Sequence, residues 1–418
     1  MKRHLTAILL FLSFVLNAPL RAQRNVIHDT ENIRSLQLVA MNDPFRAPVM
    51  DKGNWHVDIG FDEMSHDFYR FRYHIEHCDA NWQPTDGLFE SNFLDGLNDQ
   101  LIEDYEKSLN TSQTYTHYNL HLPNRETRLL LSGNYRVTIY DEDDDDHTPI
   151  LTSEFCLVDS KIGISGSVDS NTDIDFQQSH QQVSLSFSYG SLRVTDPERD
   201  LHTVVIQNRN ADRTILPQPN IKKANGCEFN HQRALIFPAG NEYHKFEQLG
   251  TRLAGMNVDN IRWFAPYRHV TLYEQPTTHN YTYDEDANGA YIIRSQDSEE
   301  DETTTEYAFV HFRLKSEPLS GGPVYVRGQW CNDWPNDQYQ MRYDEKAGEY
   351  HLSLLLKLGY YNYQFVQLTG EQTPQGAPIA TTERTDGNFY QTENEYQVLV
   401  YYRQPGERYD QLVGYKVL

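Results

Sequence analysis

Strict alternation of apolar and polar residues runs through this chain and restricts it to half-buried β-strands. Val183, Leu185, Phe187 and Tyr189 alternate with Ser184, Ser186 and Ser188. Successive side chains of a strand point to opposite faces, so this run carries one apolar and one hydroxyl-bearing side. The same reading applies to Tyr69, Phe71, Tyr73 and Ile75, to Tyr135, Val137 and Ile139, and to Tyr350, Leu352, Leu354 and Leu356. Ser132-Gly133-Asn134 and Ala347-Gly348 supply turn chemistry before two of these runs, as antiparallel hairpins need. Only the stretch from Asn98 to Lys107 reads as helical, with Leu101, Ile102 and Tyr105 on one face over about two turns.

Long helices are missing, so the fold class expected is all-β. At about 100 to 200 residues per domain, 418 residues suggest tandem immunoglobulin-like or early-set β-sandwiches, three being the central expectation. Breaks in charge and polarity set the boundaries. A first sandwich is expected over residues 24–160, a middle one over 161–280 and a C-terminal one over 305–418. Residues 281–304 contain Asp284-Glu285-Asp286 and the run from Asp297 to Glu302, and read as an exposed acidic linker.

Residues 1–22 have the layout of a secretory signal peptide: Lys2 and Arg3, an apolar run from Ala7 to Leu16, then small Ala18 and Ala22. Export is therefore expected. Cys78, Cys156, Cys227 and Cys331 are too sparse for a disulfide scaffold; Cys78 with Cys156 is the pairing that would fit one sandwich, and buried free thiols are the alternative. The balance of 36 Lys and Arg against 60 Asp and Glu gives a formal charge of −24, which repels phosphate backbones and anionic lipid. Neither nucleic acid nor direct membrane insertion is expected.

Common enzyme signatures are absent: there is no Gly-x-Ser-x-Gly elbow, phosphate loop, dinucleotide fingerprint or His-Glu-x-x-His helix. The expectation is no enzyme, no cofactor and no small-molecule ligand. His74, Glu76, His77 and Cys78 come nearest to a metal set, but alternation puts His77 on the opposite face from the other three, so no metal site is assigned. The acidic run Asp141 to Asp146 lacks the glycine and terminal glutamate spacing of a calcium loop, and reads as a solvated hairpin tip.

In the last block, Val324 to Gly328, Trp330, Asn332, Trp334 and the ending Gly359-Tyr360-Tyr361-Asn362-Tyr363 resemble the early-set immunoglobulin-like module related to glycogen-binding domains. That resemblance makes Trp330, Trp334 and Tyr361 candidate glycan-stacking residues. Core packing is the competing role, and it is favoured because large aromatics most often supply burial.

The first block carries the most distinctive wording: His77-Cys78-Asp79-Ala80-Asn81-Trp82, Asp104-Tyr105, Ser108, Asn110-Thr111, Tyr115-Thr116-His117-Tyr118, Leu122-Pro123-Asn124 and Ser132-Gly133-Asn134-Tyr135. In this order the residues resemble the plug-protein family of the Bacteroidetes type IX secretion system. The resemblance implies a periplasmic protein at the inner face of the outer membrane that occludes the translocon barrel by protein–protein contact. No catalytic residues come with it. Trp82 is expected in the core, His117 as a hydrogen-bonding partner and Ser132-Gly133-Asn134 as a turn.

Overall fold

Each alternating run becomes a strand with its apolar residues inward. The computed structural model describes residues 23–65, 67–296, 301–404 and 406–418. The expected signal peptide, and residues 297–300 of the expected linker, lie outside the described residues. Among the described residues no helix is long and apolar enough to cross a membrane.

The first sandwich opposes two sheets. One orders Val26–Ile27, Pro149–Val158, Gly133–Asp141, Phe71–Cys78 and Gln100–Leu101, with Val49–Asp51 added parallel to Pro149–Val158. The other orders Ile33–Ala40, Val57–Glu63, Thr116–Leu122 and Asp104–Lys107. Their inner faces meet through Tyr73, Ile75, Tyr135, Val137 and Phe155 on one side and Ile59, Phe61, Tyr118 and Leu120 on the other. This pattern of alternate residues buried between two sheets is what the period of two demanded.

The stretch expected to be helical instead forms two short strands. Gln100–Leu101 pairs with Phe71–Cys78, and Asp104–Lys107 pairs with Thr116–Leu122. Two turns of helix are marginal without tertiary support. Neighbouring strands offer the backbone better-placed partners, and Ile102 between them is buried.

The second and third sandwiches do not follow the division at 161–280 and 305–418. His180–Ser188 gathers Gly163–Asp169, Gly226–Phe229 and Ile236–Pro238 into one sheet of the second sandwich. Its opposing sheet orders Thr214–Ile215, Leu201–Gln207, Tyr396–Tyr402 and Gln411–Val417, so the end of the chain returns to the middle of the sequence. The third sandwich is enclosed between. The strand Gly359–Gln372 collects His244–Gln248, Tyr291–Ile293, Val324–Arg327 and Pro378–Thr381. Facing it is a sheet ordered Val258–Phe264, Tyr267–Leu272, Tyr307–Lys315, Glu349–Lys357 and Arg342–Asp344.

Part of the expected acidic linker is folded into this third sandwich. Tyr291–Ile293 is a strand, and Asp286 accepts from the backbone N–H groups of Tyr243 and Asn288. Burial pushes the Asp286 carboxyl up to about 6, against two backbone hydrogen bonds that favour its ionised form.

Cys78, Cys156, Cys227 and Cys331 are all buried thiols outside any disulfide. Cys78 and Cys156 both face Asn134, from the strands on either side of it. Two strand spacings put their Cα atoms roughly 10 Å apart, beyond the about 7 Å that a bridge spans.

Candidate functional site

Of the residues that set the first block apart, Cys78, Asp79, Ala80, Trp82, Tyr115, His117 and Asn134 lie where the sandwiches meet. At the junction of the first and second, Val49, Cys78, Ala80, Trp82, Cys156 and Val158 pack against Val204, Ile206, Leu399, Tyr401 and Leu412. This apolar cluster covers the outer face of the second sandwich's returning sheet, whose strand Tyr396–Tyr402 is buried on both sides.

Polar contacts lock its register. The Asp410 carboxylate accepts from the Ala80 N–H at 3.0 Å, Arg403 reaches Asp79 at 2.9 Å and Asp410 at 2.8 Å, and the Tyr401 hydroxyl donates to Asn134 Oδ1 at 2.8 Å. Gly133 has φ +142, and a Cβ there would lie 2.5 Å from His77 Nε2 and 3.2 Å from the Asp410 carbonyl. Gly133, expected in a turn, instead opens the strand Gly133–Asp141, where it leaves room both for a neighbouring ring and for the second sandwich.

A buried ionic cluster joins the first sandwich to the third. Asp62, fully buried, accepts from Lys357 Nζ at 2.8 Å and from the Tyr307 hydroxyl at 2.6 Å, and its other oxygen meets His117 Nδ1 at 2.7 Å. Lys357 also donates to the Glu302 carbonyl and stands 4.2 Å from the centre of the Tyr115 ring, while the Tyr115 hydroxyl donates to the Thr305 carbonyl at 2.9 Å. Burial alone would raise the Asp62 carboxyl. The Lys357 charge and the His117 and Lys357 hydrogen bonds outweigh it and hold the group below the usual carboxylate range. Leu109 N–H to the Thr303 carbonyl extends the same seam.

The second and third sandwiches are tied by Arg327, which meets Asp212 at 3.1 Å, both side chains being buried. Asp212 also accepts from the Ala380 N–H at 3.1 Å, and Arg213 donates to the Ala380 carbonyl at 2.6 Å. Arg209 spans all three bodies: its guanidinium donates to the Phe45 carbonyl of the first and to Gln329 of the third from its own place in the second. Each sandwich thus touches the other two, through contacts that a hinge between any pair would break.

The sequence candidates fall as follows. Trp330 and Tyr361 are buried, at 5% and 3% exposure, and their rings meet edge to face at 5.7 Å inside the third core. Trp330 stacks on Phe312, and its indole N–H donates to the Asn362 carbonyl at 2.8 Å. Trp334 is half-buried, its N–H directed at the Val326 carbonyl and its ring 5.4 Å from Arg327. A cleft of about 740 Å³ between the first and third sandwiches is lined in part by Trp330 and Tyr361. Phe246 and Tyr291 stack on the Tyr361 ring and Phe312 on the Trp330 ring, so both serve the core packing that competes with the glycan-stacking role.

His74, Glu76, His77 and Cys78 do not converge. His74 bonds Asp99, Glu76 faces Arg136, His77 Nδ1 meets Thr85 and Cys78 enters the junction cluster. In the acidic run, Asp141 and Asp144 accept from backbone N–H groups of their own hairpin tip. His117 has the hydrogen-bonding role expected of it. Trp82 is buried as expected, but between sandwiches rather than inside one. Sequence reasoning did not single out Asp62, Lys357, Asp212 or Arg327, because their partners are far away along the chain and no local pattern marks them.

Residues 33–159 match the family described as "Type 9 secretion system plug protein 1st domain". Across nearly its whole length the chain is similar to a hypothetical protein from Parabacteroides merdae of known crystal structure, with 34% identity and a TM-score of 0.89 over 95% of this chain and 99% of that one. No curated protein matches the chain.

Proposed function

The chain belongs to the type IX secretion system plug protein family, and from that premise we propose that it occludes the inner mouth of the translocon barrel, from the periplasmic side of the outer membrane, by protein–protein contact. The observation that carries this reading is the family match over the first sandwich, whose distinctive residues serve to fix two further sandwiches against it. A stopper needs a body that does not fold up on itself or hinge when pressed. Sheet-on-sheet packing and three mutual junctions supply that stiffness without chemistry.

Holding would come from a broad interface, of order 1,600 Å² in total, with its aromatic and Arg anchors rather than rim charges deciding affinity. No bond need be made or broken. The test is to purify the outer-membrane barrel from cells with and without the gene. Co-purification of the chain, and entry of large antibiotics on its deletion, are expected. A barrel isolated without it, together with unchanged permeability, would refute the reading.

A further inference from the structure

Four side chains converge on the outer face of the sheet that carries Val57–Glu63 and Thr116–Leu122, the same face that bears Asp62 and His117 further along those strands. His56 and Asp58 stand two residues apart, so they share a face. His121 is directly across from Asp58 in the antiparallel register, and Asp104 lies on the next strand. His56 Nε2 is 2.9 Å from Asp58 Oδ2, and His121 Nδ1 meets the other Asp58 oxygen. One donor atom from each of His56, Asp58 and His121 lies within 4.8 Å of the other two.

We propose that His56, Asp58 and His121 form a binding site for a divalent first-row transition ion, zinc above all. Two imidazole nitrogens and one carboxylate oxygen are the donor set that zinc accepts, with the remaining position left to water or to a partner's side chain. The site faces solvent, so that position is accessible: the side chains are 36%, 20% and 48% exposed. Hard ions such as magnesium prefer oxygen alone and are not expected.

Asp104 is the second, separate observation. With Nδ1 of His121 turned to the ion, its Nε2–H is left to donate, and Asp104 Oδ2 waits 3.0 Å away. A carboxylate holding the far nitrogen of a liganding histidine fixes its tautomer and ring plane. An ordinary surface ion pair needs one carboxylate for each imidazole. Here the two oxygens of Asp58 each meet one imidazole and His121 lies between two carboxylates, so the donor atoms are already held close together.

The test is calorimetric titration of zinc into the tag-free mature chain, beside His121→Ala, a His56→Ala/His121→Ala double variant and Asp104→Asn. One saturable site of micromolar affinity or tighter is expected, weakened at least 30-fold in His121→Ala, lost in the double variant and weakened about 10-fold in Asp104→Asn. Cobalt at the same site should give the strong visible absorption of tetrahedral coordination, and zinc should raise Tm in the wild type but not in the double variant. Circular dichroism checks that the variants fold, as surface positions should allow. The proposal is overturned if the wild type takes up no stoichiometric zinc, or if the double variant binds it equally well.

Discussion

His77 sits beneath the seam between the first two sandwiches, its ring edge to face with Tyr135 at 5.2 Å and with Tyr409 of the second sandwich at 5.4 Å. Burial is the largest influence on it. Although the Ser132 carbonyl and Asp410 pull the other way, the imidazole is pushed from its ordinary 6.5 down to about 4. Between those values the unfolded chain binds a proton that the folded chain refuses. This contribution to stability is therefore complete above pH 6.5 and is lost as pH falls through about 4, to the extent of roughly 3 kcal/mol. Asp286 acts in the opposite sense: its folded carboxyl titrates near 6, so its contribution is lost as pH rises from its ordinary 3.8 through about 6. Wild-type Tm therefore mixes these two with other shifted groups, Asp62 among them. Its difference from His77→Gln isolates one, and thermal melts between pH 4 and 6.5 should show the variant with the flatter acid limb. A slope identical in both would refute this assignment. The wording His77-Cys78-Asp79-Ala80-Asn81-Trp82 was legible in the sequence as distinctive, but its purpose was not. Its partners Arg403, Tyr409 and Asp410 arrive from more than 300 residues further along the chain.

Among the elements, the strand Tyr396–Tyr402 shows both what local pattern reveals and what it hides. Alternation found the half-buried strands, because one wet face leaves a period of two in the sequence. Tyr396-Gln397-Val398-Leu399-Val400-Tyr401-Tyr402 is nearly continuous apolar chain, with Tyr396, Val398 and Val400 in the second core and Leu399 and Tyr401 in the junction cluster. Burial on both faces erases the alternation, and nothing local says which sandwich such a strand joins. The misread segment Asn98–Lys107 is the complementary case: a short apolar spacing that fits a helix yields to strand pairing supplied from elsewhere. The returning strand also makes a prediction. A chain ending at residue 390 lacks Tyr396–Tyr402 and Gln411–Val417, leaving Leu201–Gln207 with only the two-residue Thr214–Ile215 beside it. Limited proteolysis of that truncation should cut first within residues 161–238, although these precede the deletion by more than 150 residues, while 244–390 resists longer. If residues 161–238 stay as protected as in the full chain, the second sandwich does not depend on the returning strands.

For the molecule as a whole, the question is whether three sandwiches act as one body, and the ionic cluster between the first and third is where this is decided. Lys357 and Asp62 are 295 residues apart in sequence, and each is about 1% exposed or less at the side chain. A buried pair of this kind adds little over a well-packed apolar pair of the same shape, but removing one partner strands the other's charge, at a cost of about 3 to 5 kcal/mol. Lys357→Met should leave the Asp62 carboxylate in a dry seam with only the Tyr307 hydroxyl and His117 to face it. The cost falls on the contact between sandwiches more than on either core. Scanning calorimetry of the wild type is then expected to give one cooperative transition. In Lys357→Met the transition should move to lower temperature and broaden or divide, as the first and third sandwiches cease to melt together. Asp62→Asn/Lys357→Met, which removes both charges and keeps an amide oxygen for the Tyr307 hydroxyl and His117 to meet, should recover much of the lost Tm, because the penalty comes chiefly from the orphaned charge and not from the missing attraction. A Lys357→Met chain that melts as the wild type does would mean that the seam is wet enough to solvate Asp62. The stiffness attributed to the three-way junction would then have to reside in the apolar cluster around Trp82 and Tyr401 and in the Asp212–Arg327 contact alone.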